Sequence, residues 1–133
     1  MASWFVPANI FYYDVFGAFK DLKVLDWKQT SNIIAVGDIV YIYVSNPIRA
    51  IMFKCKVNKV NLPVSEIDDS KYVVKGDTYQ NYKRYMELEC VKTYTANQLS
   101  YEKLVEHGLN GAIMSQRRIA PSVLEFIESV SSK

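Results

Sequence analysis

Residues 37–57, GDIVYIYVSNPIRAIMFKCKV, constrain the fold more than any other stretch of this chain. Ile39 to Val44 is apolar or aromatic at every position, the pattern of a strand covered on both faces. Gly37-Asp38 is a turn signal before it. Ser45-Asn46-Pro47 closes it, because proline cannot continue a central ladder and asparagine favours the turn. The next stretch alternates. Ile51, Phe53, Cys55 and Val57 are expected on one face, and Met52, Lys54 and Lys56 on the other. Two adjacent antiparallel strands follow, so the chain is expected to be built around a sheet.

The length of 133 residues suggests one domain, 1–133. A chain of this size buries roughly two-thirds of its unfolded surface, so it needs no disulfide or metal staple. The two cysteines, Cys55 and Cys90, fall at inward positions of apparent strands and are read as buried free thiols. With no CxxC pair and one histidine, a zinc site is not expected. Residues 1–9, MASWFVPAN, lack a basic region and a long apolar run, so no signal peptide is read. No stretch approaches the roughly 18 apolar residues of a membrane span. The expectation is a soluble cytoplasmic protein with no membrane contact.

Around the central pair, Trp4-Phe5-Val6 reads as a short buried strand stopped by Pro7. Asp14 is placed to cap a helix whose apolar residues are Val15, Phe16, Phe19 and Leu22. Residues 26–32, DWKQTSN, read as a polar stretch around Trp27. That tryptophan either lids the core edge or walls a ligand site. Residues 64–84 read as a long surface loop, with a turn at Gly76-Asp77 and a brief strand at Tyr72-Val73-Val74. Residues 85–94 alternate again, with Met86, Leu88 and Cys90 inward and Tyr85, Glu87 and Glu89 outward. The glutamates are expected to pair with Lys54 and Lys56. Ser100 is a good helix N-cap, with Leu99 and Leu104 fitting a hydrophobic staple. Tyr101, Leu104 and Val105 are the expected buried face. Gly108 suits the left-handed C-terminal position, and Leu109 can fold back on Leu104. His107 then falls in the last turn, where it reads as a capping residue. Residues 111–119 read as a short strand or extended loop. A last helix starts at Pro121, with Val123, Leu124, Ile127 and Val130 as its stripe.

The chemistry of enzymes is missing from the pattern. There is no phosphate loop, dinucleotide fingerprint, HExxH motif or GxSxG elbow. Glu87 and Glu89 share a strand face, which a solvated sheet explains. No catalytic residue and no cofactor are assigned, so the sequence argues for binding. Aromatic residues make up 14% of the chain, and ten of them are tyrosine. Three polar-aromatic patches suit a nucleobase, since rings stack on its face and amides or hydroxyls read its edge. They are Asn9 with Tyr12 and Tyr13; Trp27-Lys28-Gln29; and Ser45-Asn46-Pro47, with Gln116, Arg117 and Arg118 as a rim. Net charge is only +2, too weak alone to imply nucleic acid.

The order WFVPAN, YYDV, DWKQ, VGDIVYIYVSNP and AIMFKCKV, followed by YMELECVKTY and LSYEKLVEHGLNGAIMSQRR, resembles the EVE domain of the PUA-like superfamily. The resemblance runs over nearly the whole chain, except residues 64–84. It implies an α+β fold, a mostly antiparallel pseudo-β-barrel with flanking helices and a pocket for a nucleobase. It implies a reader of a modified base, modified cytosine in DNA ahead of RNA, held flipped out of the stack. It assigns Trp27 to stacking, Asn9 and Ser45 to edge hydrogen bonds, and Gln116 and Arg118 to edge or backbone. Tyr12 belongs with the base-binding group; Lys28 and Arg117 belong with the backbone contacts. A separate nuclease or other effector would be a further partner, since residues 1–133 hold no cutting domain. The alternative from a different class is a small-molecule sensor or protein-interaction subunit on the same fold.

Overall fold

The structure is a computed structural model and describes residues 1–63, 70–75 and 84–130. The expected turn at Gly76-Asp77 lies outside the described residues. The chain runs β1 (Ser3–Ala8), α1 (Val15–Asp21), β2 (Val24–Lys28), β3 (Ile39–Val44), β4 (Ala50–Leu62), a 3₁₀ turn (Ser70–Tyr72), β5 (Tyr85–Thr93), α2 (Tyr101–Glu106), β6 (Arg117–Arg118) and α3 (Pro121–Ser129). Six strands form one sheet in the order β2-β5-β4-β3-β1-β6. This is α+β with three helices, as expected, but the sheet is open. β2 and β6 are its two edges, and among the described residues no ladder joins them to close a barrel.

β3 is covered on both faces because its residues serve two cores. Val40, Ile42 and Val44 join Trp4, Val6, Leu25, Trp27 and Leu88 on one side. Tyr41 and Tyr43 join Phe5, Leu104, Val123 and Ile127 on the other, under α2 and α3. β1 lies parallel to β3 and continues through Pro7, which was expected to stop it. Ser45 N donates to Ala8 O, and Ile119 N donates to Ser3 O. Alternate residues therefore aim their backbone at β3, and Pro7 aims away from it. On that side β6 pairs only with Trp4 and Phe5, so the missing N–H of Pro7 breaks no ladder bond.

Two expectations about strand faces fail for identifiable reasons. A register shift between Ile42 and Tyr43 puts Phe53 opposite Ile42 and Ile51 opposite Tyr43. The extra residue flips the phase, so Ile51 packs in the second core while Phe53, Cys55 and Val57 stay in the first. Tyr85 is buried, not outward, although Glu87 and Glu89 do face the solvent side. Their ion-pair partners are Lys59 and Lys23, with only Lys56 standing across from Glu89 in register. β2 itself is absent from the sequence reading. Its alternation is hidden because Asp26 is buried along with Leu25 and Trp27. Tyr72 falls in the 3₁₀ turn, and Val73 makes one isolated bridge to Tyr13.

Local signals at the helices hold well. Asp14 Oδ1 accepts from Gly17 N, and Ser100 Oγ accepts from Lys103 N. Gly108 takes φ of 113°, and Leu109 N donates to Leu104 O, completing the helix end. Val105 is exposed, so Leu104 carries the buried face. His107 stacks on Phe126 at 3.8 Å between ring centroids. Asp38 does more than make a turn. It accepts from Ala2 N, Trp4 Nε1 and Ala35 N, tying β1 to the start of β3. Burial alone would raise its pKa, but those N–H donors hold it below the ordinary aspartate value of 3.8. Cys55 and Cys90 are free thiols standing opposite each other on β4 and β5. Among the described residues no helix is long and apolar enough to cross a membrane.

Candidate nucleobase site at the sheet seam

The two edges of the sheet approach each other although no strand pairing joins them. One side chain bridges the gap. Gln116, one residue before β6, donates from Nε2 to Lys28 O at 2.8 Å. Its Oε1 accepts from Thr30 N at 3.0 Å. Those two backbone groups flank residue 29, and a neighbouring parallel strand would bond the same pair. The amide of Gln116 thus stands in for the N–H and C=O of one strand residue at the seam. Gln29, between them, is fully buried and points the other way. It donates to Ser31 O and Asn61 Oδ1 and accepts from Asn61 N. Both glutamines hold the end of β2 in place.

A cavity of about 440 Å³ opens at this seam. Its floor is the end of β1, Pro7 to Asn9, with Ser45 just past β3. Lys28 and Thr30 form one wall, and residues 113–116 form the other. Ser45 is fixed by two bonds to Ala8 O, one from its N and one from Oγ at 3.2 Å. Asn9 Oδ1 accepts from Phe11 N at 2.9 Å, the Asx turn that carries the chain from β1 towards α1. Among the described residues that line the cavity, Lys28 is the one that carries a charge. Burial holds its ammonium pKa below the usual lysine value. Arg84 adds a second cation near the same wall, with Nη2 on Thr30 O at 3.4 Å.

Asn9, Lys28, Ser45 and Gln116 are therefore brought together from four parts of the chain. The other four assigned residues are not. Trp27 is 2% exposed, packed edge-on against Tyr13 at 5.5 Å in the first core. It cannot stack on a ligand without the core opening, so the stacking role is corrected. Tyr12 sits in the turn after β1 under the ammonium of Lys75, outside the cavity lining. Arg117 and Arg118 take opposite faces of β6. The Arg117 guanidinium lies over Phe5 and Nη1 bonds Asn110 O, so it braces the second core. Arg118 stays exposed with its guanidinium over Trp4. Gln116 lines the cavity while its amide bridges Lys28 O and Thr30 N.

Sequence reasoning missed Thr30, Ile113, Met114 and Ser115 in the lining. The hydroxyls carried no distinguishing signal. Nor did Met114, which follows Ile113 and reads as one of an apolar pair. His107 and the glutamates lie outside the lining. Among the described residues no cluster of His, Cys, Asp or Glu is placed to hold a metal.

No protein-family model matches this sequence. No curated protein matches it either. Solved structures do. ASCH from Zymomonas mobilis superposes with a TM-score of 0.66 at 9% identity, over 98% of this chain and 97% of that one. A protein from Agrobacterium tumefaciens gives 0.65 at 14% identity, over 97% and 92%. A hypothetical protein from Leishmania major gives 0.66 at 14%, over 97% and 93%. At such identities the likeness is one of fold. The chain takes the fold seen in ASCH, and nothing in the likeness singles out EVE.

Proposed function

We propose that this chain is a nucleic-acid-binding module that holds one base, unstacked from its neighbours, in the seam cavity. The observation that supports this is the convergence of Asn9, Lys28 and Ser45 on one cavity of about 440 Å³. That volume is in the range of about 300–1,000 Å³ typical of small-ligand sites. Asn9 and Ser45 offer amide and hydroxyl groups to a base edge, and Lys28 and Arg84 offer charge to a phosphate. Apolar walls from Pro7, Ala8, Ile113 and Met114 replace the aromatic stack that Trp27 does not supply. The finer reading keeps a modified base as target, modified cytosine in DNA or a base in RNA, with any cutting left to a partner. Binding alone, without turnover, is the role proposed.

A second reading has one observation in its favour. Lys28 is a lysine with a lowered pKa among hydroxyls in a cavity, a setting that also suits a general base. It predicts turnover of a bound nucleoside that Lys28→Arg abolishes while binding persists.

Calorimetry separates these readings. The panel is single- and double-stranded DNA, RNA and free nucleosides, with cytosine and 5-methylcytosine. The base-binding reading expects nucleic acid to bind and Lys28→Met to weaken it, lowering the salt slope by about 0.7–1. Failure of every polymer and nucleoside to bind would falsify it. Binding of a metabolite with none of the polymers would favour a small-molecule sensor instead.

A further inference from the structure

A second cavity, of about 320 Å³, adjoins the first. The two share Ser45, Ile113 and Met114 in their linings, so they are two halves of one trough. Met114 stands between them with 84% of its surface exposed. The two halves differ in chemistry. The first sets amides, hydroxyls and a lysine among apolar walls. The second is aromatic, with Tyr43, Tyr101 and the guanidinium of Arg49.

Arg49 is held in place by its backbone. Its φ is 52°, in the left-handed region. Its N donates to Ser45 O, and its carbonyl accepts from Tyr101 N at 2.8 Å. It is thus fixed between the end of β3 and the start of α2. Its guanidinium lies 4.9 Å from the Tyr101 ring centre, with Tyr43 tilted against the same ring at 6.3 Å. Its ion pair is with Glu102 at 3.0 Å, and both side chains are largely solvated, at 45% and 64%. Such a pair is weak, and a phosphate offers Arg a bidentate partner of higher charge.

We infer that the second cavity is the subsite for the nucleotide adjoining the held base. This rests on the base-binding reading of the first cavity. The phosphate between the two nucleotides takes Arg49, replacing Glu102. The neighbouring base lies against Tyr101. Met114 enters between the two bases as an apolar wedge and keeps them unstacked. The ligand is therefore at least a dinucleotide, and a nucleoside fills half of the trough.

The test compares a nucleoside with the dinucleotide carrying the same base, in deoxy and ribo forms, by calorimetry on the full chain. The probes are the standard bases and 5-methylcytosine. The dinucleotide is expected to bind roughly tenfold or more tightly than the nucleoside, as one added stack and phosphate contact imply. Arg49→Asn, chosen because asparagine tolerates positive φ, should erase that gain and leave nucleoside affinity unchanged. Met114→Ala, at an exposed position, should reduce the fluorescence rise of 2-aminopurine placed beside the held base. Equal affinity for nucleoside and dinucleotide, or a gain that Arg49→Asn leaves intact, overturns the second subsite while sparing the first. Absence of nucleoside and dinucleotide binding alike overturns both.

Discussion

The middle of the sheet and its seam are made in different ways. In the middle, β3 is fixed by ladders to β1 and β4 and by apolar side chains on both faces. At the seam, two edges meet through one glutamine amide, and a cavity remains beside it. The middle uses contacts that any apolar residue of similar size would make. The seam uses hydrogen bonds that need one residue type in one place. A rigid centre with a polar, incompletely closed margin is what a binding site needs, because unfilled space and accessible donors are tolerated only where the core does not depend on them.

Trp27 breaks this comparison most sharply, since it lies on the seam strand but belongs to the centre. Trp27→Ala should destabilise the fold by about 3–5 kcal/mol, read by urea denaturation. A neutral effect on stability with a loss of ligand affinity would return Trp27 to the binding site. Asp38 comes next. Replacing it by Ala leaves three N–H donors without their acceptor and should remove about 1.5–3 kcal/mol. Its folded pKa is lowered, so its stabilisation is present above the ordinary value of 3.8 and fades as pH falls through the lower folded value. Acid titration of stability should therefore lose that step in Asp38→Ala. Gln116→Ala removes two bonds at the seam. It should lower stability by about 1–3 kcal/mol and weaken ligand binding as the end of β2 moves. Gln116→Glu sharpens the point. Its carboxylate can still accept from Thr30 N but sets an anionic oxygen against Lys28 O, so it should destabilise at least as much as alanine.

How much of this was legible in the sequence follows the same division. The covered strand β3, the caps at Asp14 and Ser100 and the Gly108 helix end were all readable, because each depends on neighbours in the chain. The bulge that turns Ile51 over was not, since the alternation alone gives no sign of an extra residue. At the site, Asn9, Lys28, Ser45 and Gln116 were readable as polar residues at strand ends. Their roles were not. Gln116 acts on Lys28 and Thr30 across more than eighty residues of sequence, a pairing no local pattern encodes. Trp27 misled because its polar neighbours Asp26, Lys28 and Gln29 suggest a surface. In the fold Asp26 and Gln29 are themselves buried, and β2 is a strand buried over its middle.

The central claim is that the seam cavity is where a base sits. The most direct measurement is a titration of the ¹⁵N-labelled chain with the tightest-binding oligonucleotide, following side-chain amides and backbone amides by NMR. The claim predicts that the Asn9 side-chain amide and the backbone amides of Thr30, Ser45 and Ser115 shift most, with the centre of β3 unmoved. Saturable binding that leaves those groups unchanged, with shifts confined to another face of the sheet, would contradict it.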